Sequence, residues 1–157
     1  MKTIPLTKGK SAIVDDSDFE RVNAFKWYAH ESRGKWYARR GGGGKYGSVK
    51  MHRFILDVPN NLDVDHINGN GLDNRRCNIR TCNKNQNQQN RQKQAYSCTS
   101  AYKGVTWSKS DKRWRVEIRL YGKRINIGSF TSEVEAAQAY DRRAKELFGE
   151  FARPNFQ

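Results

Sequence analysis

Asp65 and His66 are the residues of this chain whose types and spacing best suit hydrolytic chemistry. They precede a loop rich in glycine and asparagine, residues 67–74, and a polar stretch that continues to Arg91. A histidine titrates near neutral pH and can take a proton from water. A carboxylate beside it can bind a divalent metal, which stabilises the charge that develops during phosphodiester cleavage. An Asp-His pair in an ordinary turn is the alternative interpretation.

The segments around the pair predict a strand, a long loop, a second strand and a helix. The first strand is expected at residues 63–65 and the second at residues 78–80. Asn83 and Gln86 have the spacing of a capping box, which predicts a short polar helix from about residue 84 to about residue 92. This order brings the polar loop back beside the Asp-His pair.

Residues 1–50 predict a β-rich extension ahead of this site. Two aromatic stretches, residues 26–29 and 35–38, flank a turn and indicate a hairpin. A solvated small sheet and a surface that contacts the DNA backbone are both compatible with this pattern. Residues 51–56 predict a short helix, and its His52 is expected to pack or hydrogen-bond near the site rather than to act in catalysis.

Residues 101–157 have a different pattern. Residues 113–120 alternate strictly between apolar and polar side chains, which is typical of a strand with one buried face. Together with residues 105–107 and 124–127 they predict a three-stranded antiparallel sheet. A capping box at Ser132 begins a helix whose apolar face covers the sheet, and this helix ends at Gly149.

Positive charge is concentrated on the uncovered face of that sheet. The whole chain has 30 Lys and Arg against 16 Asp and Glu, a net charge of +14. Residues 103–132 hold 8 basic and 2 acidic side chains, a balance of +6. Arginine can bind guanine through two hydrogen bonds, and a β-ribbon fits the major groove, so this face is predicted to bind duplex DNA. The predicted contacts are Lys103, Thr106, Trp107, Arg113, Arg115, Arg119 and Arg124.

Other classes of protein fit the composition less well. No run of about 18 apolar residues could span a membrane, and the N-terminus lacks the apolar segment of a signal peptide. A cytoplasmic protein of a bacterial or phage-infected cell, not secreted and without a membrane partner, is therefore expected. Cys77, Cys82 and Cys98 form no Cys-x-x-Cys pair, so neither a zinc site nor a disulfide framework is predicted.

Residues 101–156 resemble the DNA-binding domain of the plant APETALA and ethylene-response-factor proteins. The matching segments lie at residues 102–105, 114–119, 127–130, 135–141 and 152–156. The resemblance implies a three-stranded sheet with one helix, which reads DNA through the sheet. Thr106 stands where family members often carry Arg, so a different base preference is expected.

Residues 52–91 resemble the HNH nuclease motif of phage and intron-associated homing endonucleases. The matching segments lie at residues 52–53, 64–70, 72–75, 78–80 and 85–87. The resemblance implies that His66 is the general base, that Asp65 and Asn87 bind one divalent metal, and that Asn78 holds the loop. Asn87 is an oxygen ligand where family members can have His, which favours Mg²⁺ or Mn²⁺ over Zn²⁺. Arg75, Arg76, Arg80 and Arg91 are predicted to hold the phosphate backbone.

The sequence thus predicts an α+β protein of two small domains. They are a ββα-metal HNH nuclease domain at residues 51–94, with the extension at 1–50, and the sheet-and-helix domain at 101–157 after a linker at 95–100. The predicted function is a site-specific homing endonuclease acting on double-stranded DNA. A non-catalytic transcriptional regulator is the alternative, and an RNA-binding protein is a third, weaker one. Nicking and double-strand cutting both stay open, because the latter depends on a homodimer.

Overall fold

The computed structural model describes residues 1–42, 47–91, 93 and 99–156. The chain divides into two compact units, Met1–Lys84 and Asn85–Gln157. The predicted mixture of helices and sheets in a small protein, with one three-stranded antiparallel sheet in the second unit, is confirmed. Residues 95–98 of the predicted linker lie outside the described part, as do Gly43 and Gly44. No helix among the described residues is long and apolar enough to cross a membrane.

The described residues of the first unit form three small sheets and two helices. In chain order its elements are β1 (Lys2–Pro5), β2 (Ser11–Val14), α1 (Asp16–Asn23), β3 (Tyr28–Ser32), β4 (Lys35–Gly41), β5 (Ser48–Lys50), α2 (Met51–Leu56), β6 (Asp63–His66) and β7 (Ile79–Cys82). The strands pair as β1-β2, β3-β4-β5 and β6-β7, all antiparallel. The predicted hairpin of the two aromatic stretches is therefore present as β3 and β4.

One hydrophobic core connects the N-terminal extension to the strands of the Asp-His pair. The buried cluster includes Val14 of β2, Val22 of α1, Met51 of α2 and Val64 of β6. Because these side chains share one core, residues 1–50 form one folded unit with residues 51–84 of the predicted nuclease segment, whose remaining residues fall in the second unit. Burial of each large aliphatic side chain contributes about 1.5–3 kcal/mol to such a core.

Strand β2 also holds the glycine-asparagine loop. The amide of Ile13 donates to the carbonyl of Leu72, and its carbonyl accepts from the amide of Asn74, both at 2.8 Å. Helix α1 begins after Asp15, although Ser17 and Asp18 are also residue types that cap helices. The Asp18 carboxylate is instead committed to arginine side chains, which explains why it does not cap the helix.

The second unit has one short helix ahead of the sheet and one long helix on it. Its elements are α3 (Lys84–Gln89), β8 (Val105–Ser108), β9 (Arg113–Leu120), β10 (Lys123–Phe130), α4 (Glu133–Phe148) and a 3-10 turn at Gly149–Phe151. The sheet has the order β10-β9-β8. Helix α3 ends at Gln89, earlier than the sequence predicted, and residue 92 lies outside the described part.

The caps predicted for α4 are present. Ser132 Oγ accepts a hydrogen bond from the amide of Glu135 at 3.4 Å, and Gly149 takes a φ of +53° after the last turn. Val116 and Ile118 of β9 pack on Ala137 of α4 and its neighbours. The alternation of β9 thus directs its apolar side chains to the helix and its charged ones outward.

Candidate active site and nucleic-acid interface

The Asp-His pair lies at the end of β6, opposite β7. Asp65 pairs across the strands with Arg80, and His66 pairs with Ile79. Both site residues are buried. Two other elements contribute aromatic rings: His52 of α2 has its ring centroid 4.7 Å from that of His66, edge to face, and Tyr37 of β4 lies 6.1 Å from it. Three elements therefore enclose the imidazole.

The orientation of the His66 ring is set by Asn74. The Nε2 atom of His66 lies 3.3 Å from Oδ1 of Asn74, whose side chain is buried. Because an amide oxygen only accepts hydrogen bonds, Nε2 carries the proton and Nδ1 carries the lone pair. Asn74 is itself fixed, since its Nδ2 donates to the carbonyl of Leu72 at 3.1 Å. This arrangement presents a nitrogen that can accept a proton.

Burial lowers the pKa of His66 below its ordinary value, while the hydrogen bond to Asn74 and the charge of Asp65 oppose the shift. Burial and the proximity of His66 hold the pKa of His52 well below that of a free imidazole. Both rings are therefore neutral at neutral pH. A neutral His66 is the form that a general base requires.

Asn78 holds the glycine-asparagine loop from its centre. Its Oδ1 accepts from the amide of Asn68 at 3.0 Å, and its Nδ2 donates to the carbonyl of Asp73 at 2.8 Å. Asn68 in turn donates to the Asp73 carboxylate at 2.9 Å. A single buried side chain thus ties both ends of the loop that precedes it.

Three of the four arginines predicted to hold phosphate contact carboxylates of the first unit. Arg75 binds Asp73 at 2.7 Å. Arg76 binds Asp18 at 2.7 Å. Arg80 lies 3.2 Å from Asp65, and Arg91 is exposed. These ion pairs lower the pKa of Asp18 and Asp73. The contacts of the arginines with DNA stay a prediction.

Asn87, the second metal ligand implied by the HNH resemblance, lies in α3. Asn87 belongs to the compact unit that begins at Asn85, whereas Asp65 and His66 lie on β6 of the first unit. Within the described ranges, no group of three or more His, Cys, Asp and Glu side chains could hold a metal by itself. Metal binding by Asp65 and Asn87 therefore stays a proposal from the sequence pattern.

The arginines of the sheet share its outward face. The strand register pairs Thr106 with Arg115 and Arg124 with Arg119, and paired residues project to the same side. These four residues and Arg113 are exposed. Asp111 forms an ion pair with Arg115, and Glu117 lies 3.9 Å from Arg124. Cations outnumber carboxylates on this face.

Two residues predicted to contact DNA with the arginines lie elsewhere in the second unit. Trp107 pairs with Trp114, at 4.9 Å between ring centroids, so it projects to the helix side of the sheet. Lys103 donates from Nζ to the carbonyl of Gln89 at 2.6 Å, and burial lowers its pKa to about 8. The period of two along β8 was a signal that Trp107 shares its face with Val105, and the prediction did not use it, whereas no local pattern indicated the contact of Lys103.

Sequence reasoning did not single out Asn74 or Tyr37 for the site, and it gave His52 a packing role. Asn74 ends the loop eight residues after His66, where no periodicity marks it. Tyr37 reaches the site from a different sheet. Its contact depends on Gly71, where any Cβ would overlap the carbonyl of Trp36 and the ring of Tyr37. A glycine within the loop was therefore the one local indication of a close neighbour.

Fold and site together define a two-part protein, with a histidine-centred site in one unit and a basic-faced sheet in the other. Residues 100–150 match the family model of the AP2 domain. The chain is 33% identical over 156 residues to an uncharacterized HNH endonuclease, L560, of Acanthamoeba polyphaga mimivirus, covering 94% of this chain and 76% of the viral protein. The chain belongs to this HNH endonuclease family and carries an AP2 domain in its second unit.

Two further relatives match separate parts of the chain. Protein 3.8 of Escherichia phage T7 is 36% identical over 96 residues, which is 61% of this chain and 78% of the phage protein. Dehydration-responsive element-binding protein 2A of rice (Oryza sativa subsp. indica) is 46% identical over 61 residues, which is 36% of this chain and 21% of the plant protein. No solved structure matches the chain.

Proposed function

We propose that this protein is a site-specific DNA endonuclease of the homing type, which hydrolyses phosphodiester bonds at His66 and is targeted by its AP2 sheet. The single observation that carries the proposal is the neutral, buried His66, oriented by Asn74 beside Asp65. The viral relative named as an HNH endonuclease supports it. The chain order of β6, β7 and α3, two strands and then a helix, is the order of the ββα-metal nucleases that the motif resembles, and it supports the proposal.

The chemistry of His66 follows from its hydrogen bond to Asn74. With Nε2 donating to the amide oxygen, Nδ1 accepts a proton from the attacking water. The water oxygen bonds to phosphorus, the bond from phosphorus to the leaving sugar oxygen breaks, and that oxygen takes a proton from solvent while His66 returns its proton to solvent. Asn74 and the edge of His52 keep the ring from turning away, and such positioning contributes to the rate. General base catalysis of this kind is worth about 10²–10⁴ in rate.

Asp65 fits a hard divalent cation. Mg²⁺ is commonly bound through one or two carboxylates together with substrate phosphates, and Asp65 supplies one carboxylate in the described part. Asn87 would be the second protein ligand by the sequence resemblance. A bound Mg²⁺ or Mn²⁺ would supply charge stabilisation to the phosphate oxygens. Asp65 lies 3.2 Å from Arg80, so the carboxylate is held in place before any cation binds.

The AP2 sheet supplies affinity for DNA in this proposal. Arg113, Arg115, Arg119 and Arg124 project outward with Thr106, and a positively charged β-ribbon can contact base edges in the major groove. Some of the same arginines would neutralise phosphates, so binding is expected to weaken steeply with salt. A homodimer is proposed only for the case of double-strand cutting, where two active sites must act on two strands.

The proposal is tested by cleavage of supercoiled plasmid with Mg²⁺, comparing the wild type with His66→Ala. We expect cutting to fall by at least about 100-fold in the variant and to be partly restored by added imidazole. Binding to duplex DNA in EDTA should be unchanged, which separates loss of chemistry from loss of folding. Cutting that survives His66→Ala unchanged would contradict the role of His66.

The alternative function, a non-catalytic regulator, is distinguished in the same experiment. Its support is the AP2 match alone, since a plant relative is named as a DNA-element-binding protein. Tight binding to the host or phage genome with no cutting under Mg²⁺ or Mn²⁺ would favour it. Metal-dependent cuts that map to a few genomic positions would favour the homing endonuclease.

A further inference from the structure

In three turns of the described residues, a residue with a long side chain and the glycine that follows it both lie in the left-handed backbone region. Lys8-Gly9, Arg33-Gly34 and Tyr121-Gly122 have φ values of +59° and +63°, +53° and +74°, and +49° and +81°. Two consecutive positive φ values define the type I′ turn, for which Asn-Gly is the preferred pair. A long side chain at the first position is disfavoured there. Two of these turns carry a cation in the first unit.

One cationic turn packs on an aromatic ring of the strand that follows the other. Lys8 and Lys10 of the β1–β2 turn have their Nζ atoms 5.2 Å and 5.3 Å from the centroid of the Trp36 ring. Trp36 is the second residue of β4, and Arg33 is in the turn that precedes this strand. Lys8, Lys10 and Arg33 are all exposed. The ring therefore holds two ammonium groups at the surface, and a third exposed cation precedes it in the adjoining turn.

The hairpin that carries Trp36 also reaches His66, but with its other face. Tyr37 follows Trp36 in β4 and lies 6.1 Å from His66, and successive side chains of a strand point to opposite faces. Trp36 therefore projects to the face opposite Tyr37. Gly71 of the loop packs directly against the backbone of Trp36. One short hairpin thus carries the cations on one face and a wall of the site on the other.

We propose that Lys8, Lys10, Arg33 and Trp36 form a second DNA contact, which binds the phosphodiester backbone of the duplex. We call these residues the hairpin surface. A polyanion is the partner that fits, because the hairpin surface has three cations, and Glu31, which the register places across from Trp36, is the acidic side chain among its neighbours on β3. The proposal rests on the proposed function and adds a contact that the AP2 sheet does not provide.

Backbone geometry offers a test in which folding and binding change in opposite directions. Lys8→Asn and Arg33→Asn each create the preferred Asn-Gly pair, so the double variant should melt about 3 °C higher or at an unchanged temperature. Its affinity for a fluorescent random-sequence duplex, measured by anisotropy with the full chain in EDTA, should fall roughly tenfold. The slope of log affinity against log salt should fall by about 2, one for each lost phosphate contact.

The matched control is Lys2→Asn, at the opposite end of the same β1–β2 hairpin. Lys2 stacks on Phe19 and lies 3.9 Å from Glu20, so this substitution removes one positive charge away from the hairpin surface, as Lys8→Asn alone removes one on it. We expect its affinity and salt slope to match the wild type. Glu31→Gln should tighten binding by about threefold, because it removes the carboxylate that opposes DNA, and Lys8→Arg should bind as the wild type does.

The outcomes separate this inference from the function on which it rests. If the double variant binds as tightly as Lys2→Asn while Arg119→Ala weakens binding, the hairpin surface is not a DNA contact and the AP2 sheet is. If the wild type does not bind duplex DNA, both proposals fail. A loss of affinity together with an unchanged or raised melting temperature supports the hairpin surface.

Discussion

The two units carry their charged residues in opposite ways. Around His66, polar side chains are buried and joined by hydrogen bonds: Asn74, Asn78 and Asp65 are each less than a tenth exposed. On the AP2 sheet, the arginines are exposed and the buried residues beneath them are apolar. A site that transfers protons needs fixed partners, whereas a surface that binds DNA needs free, solvated cations. Substitutions around His66 should therefore change the cutting rate, whereas substitutions of the sheet arginines should change the affinity for DNA.

Gly104→Ala is expected to have the largest effect, and it acts on folding. Gly104 has a φ of +78°, and a Cβ there would overlap the ring of Tyr140 in the core of the second unit. Strain and overpacking together should cost about 3 kcal/mol or more. We expect the second unit to lose its cooperative thermal transition while the first keeps its own, as measured by calorimetry.

Gly122→Ala is the control for this substitution. Gly122 has a φ of +81° with no atom within 4 Å of an added Cβ, so only the backbone strain applies. It should cost about 1 kcal/mol. Equal melting temperatures for the two variants would contradict the close contact of Gly104 with Tyr140.

Asn78→Ala should instead act on catalysis in the first unit. It removes the hydrogen bonds to Asn68 and Asp73 and leaves the buried carbonyl of Asp73 without this partner, which costs about 1–3 kcal/mol of stability. The loop then no longer fixes Asn74 and His66, so plasmid cutting should fall by roughly 100-fold. The affinity for duplex DNA should change less than twofold.

Asn126→Ala provides the same change of side chain on the DNA-binding sheet. Asn126 is exposed on β10 and accepts from the amide of Gly128 at 3.1 Å. Its loss should leave the cutting rate at saturating DNA unchanged. Equal losses of cutting in the two variants would show that Asn78 has no special place in the site.

The pH dependence of stability should also separate the units. Burial depresses the folded pKa of His52 and of His66, so the unfolded chain binds protons more readily than the folded one. The first unit should therefore be most stable above about pH 6.5, the unfolded pKa, and lose stability as pH falls from there toward the folded values. For each histidine, a difference of one unit between the unfolded and the folded pKa changes the free energy of unfolding by about 1.4 kcal/mol.

This prediction is checked by thermal unfolding between about pH 7.5 and pH 5. His52→Gln should flatten the pH dependence of the first transition, while His30→Gln, at a half-exposed position of β3, should leave it in place. The second unit contains no histidine, so its transition should move less over this range. A first transition that does not move with pH would contradict the burial of both rings as neutral groups.

Sequence reasoning was most successful where the structure is periodic. The alternation of residues 113–120 predicted β9 and its two faces, and the capping box at Ser132 predicted the start of α4. Around His66, the order of strands was predictable, but Tyr37 and His52 reach it from other elements. Asn74 depends on the docking of the loop on β2. Such contacts join residues far apart in the chain, so no local pattern encodes them.

Trp107 gives the smallest expected effect and the sharpest test of the face assignment. The sequence grouped it with the arginines, but the register directs it toward Trp114 on the helix side, where it is 36% exposed. Trp107→Leu should therefore lower the stability of the second unit by about 1 kcal/mol through the lost ring contact. Its affinity for duplex DNA should change less than twofold, against roughly tenfold for Arg115→Ala on the outward face. If titration of the same duplex shows the tryptophan substitution to weaken binding as much as the arginine substitution, DNA contacts extend around the edge of β8.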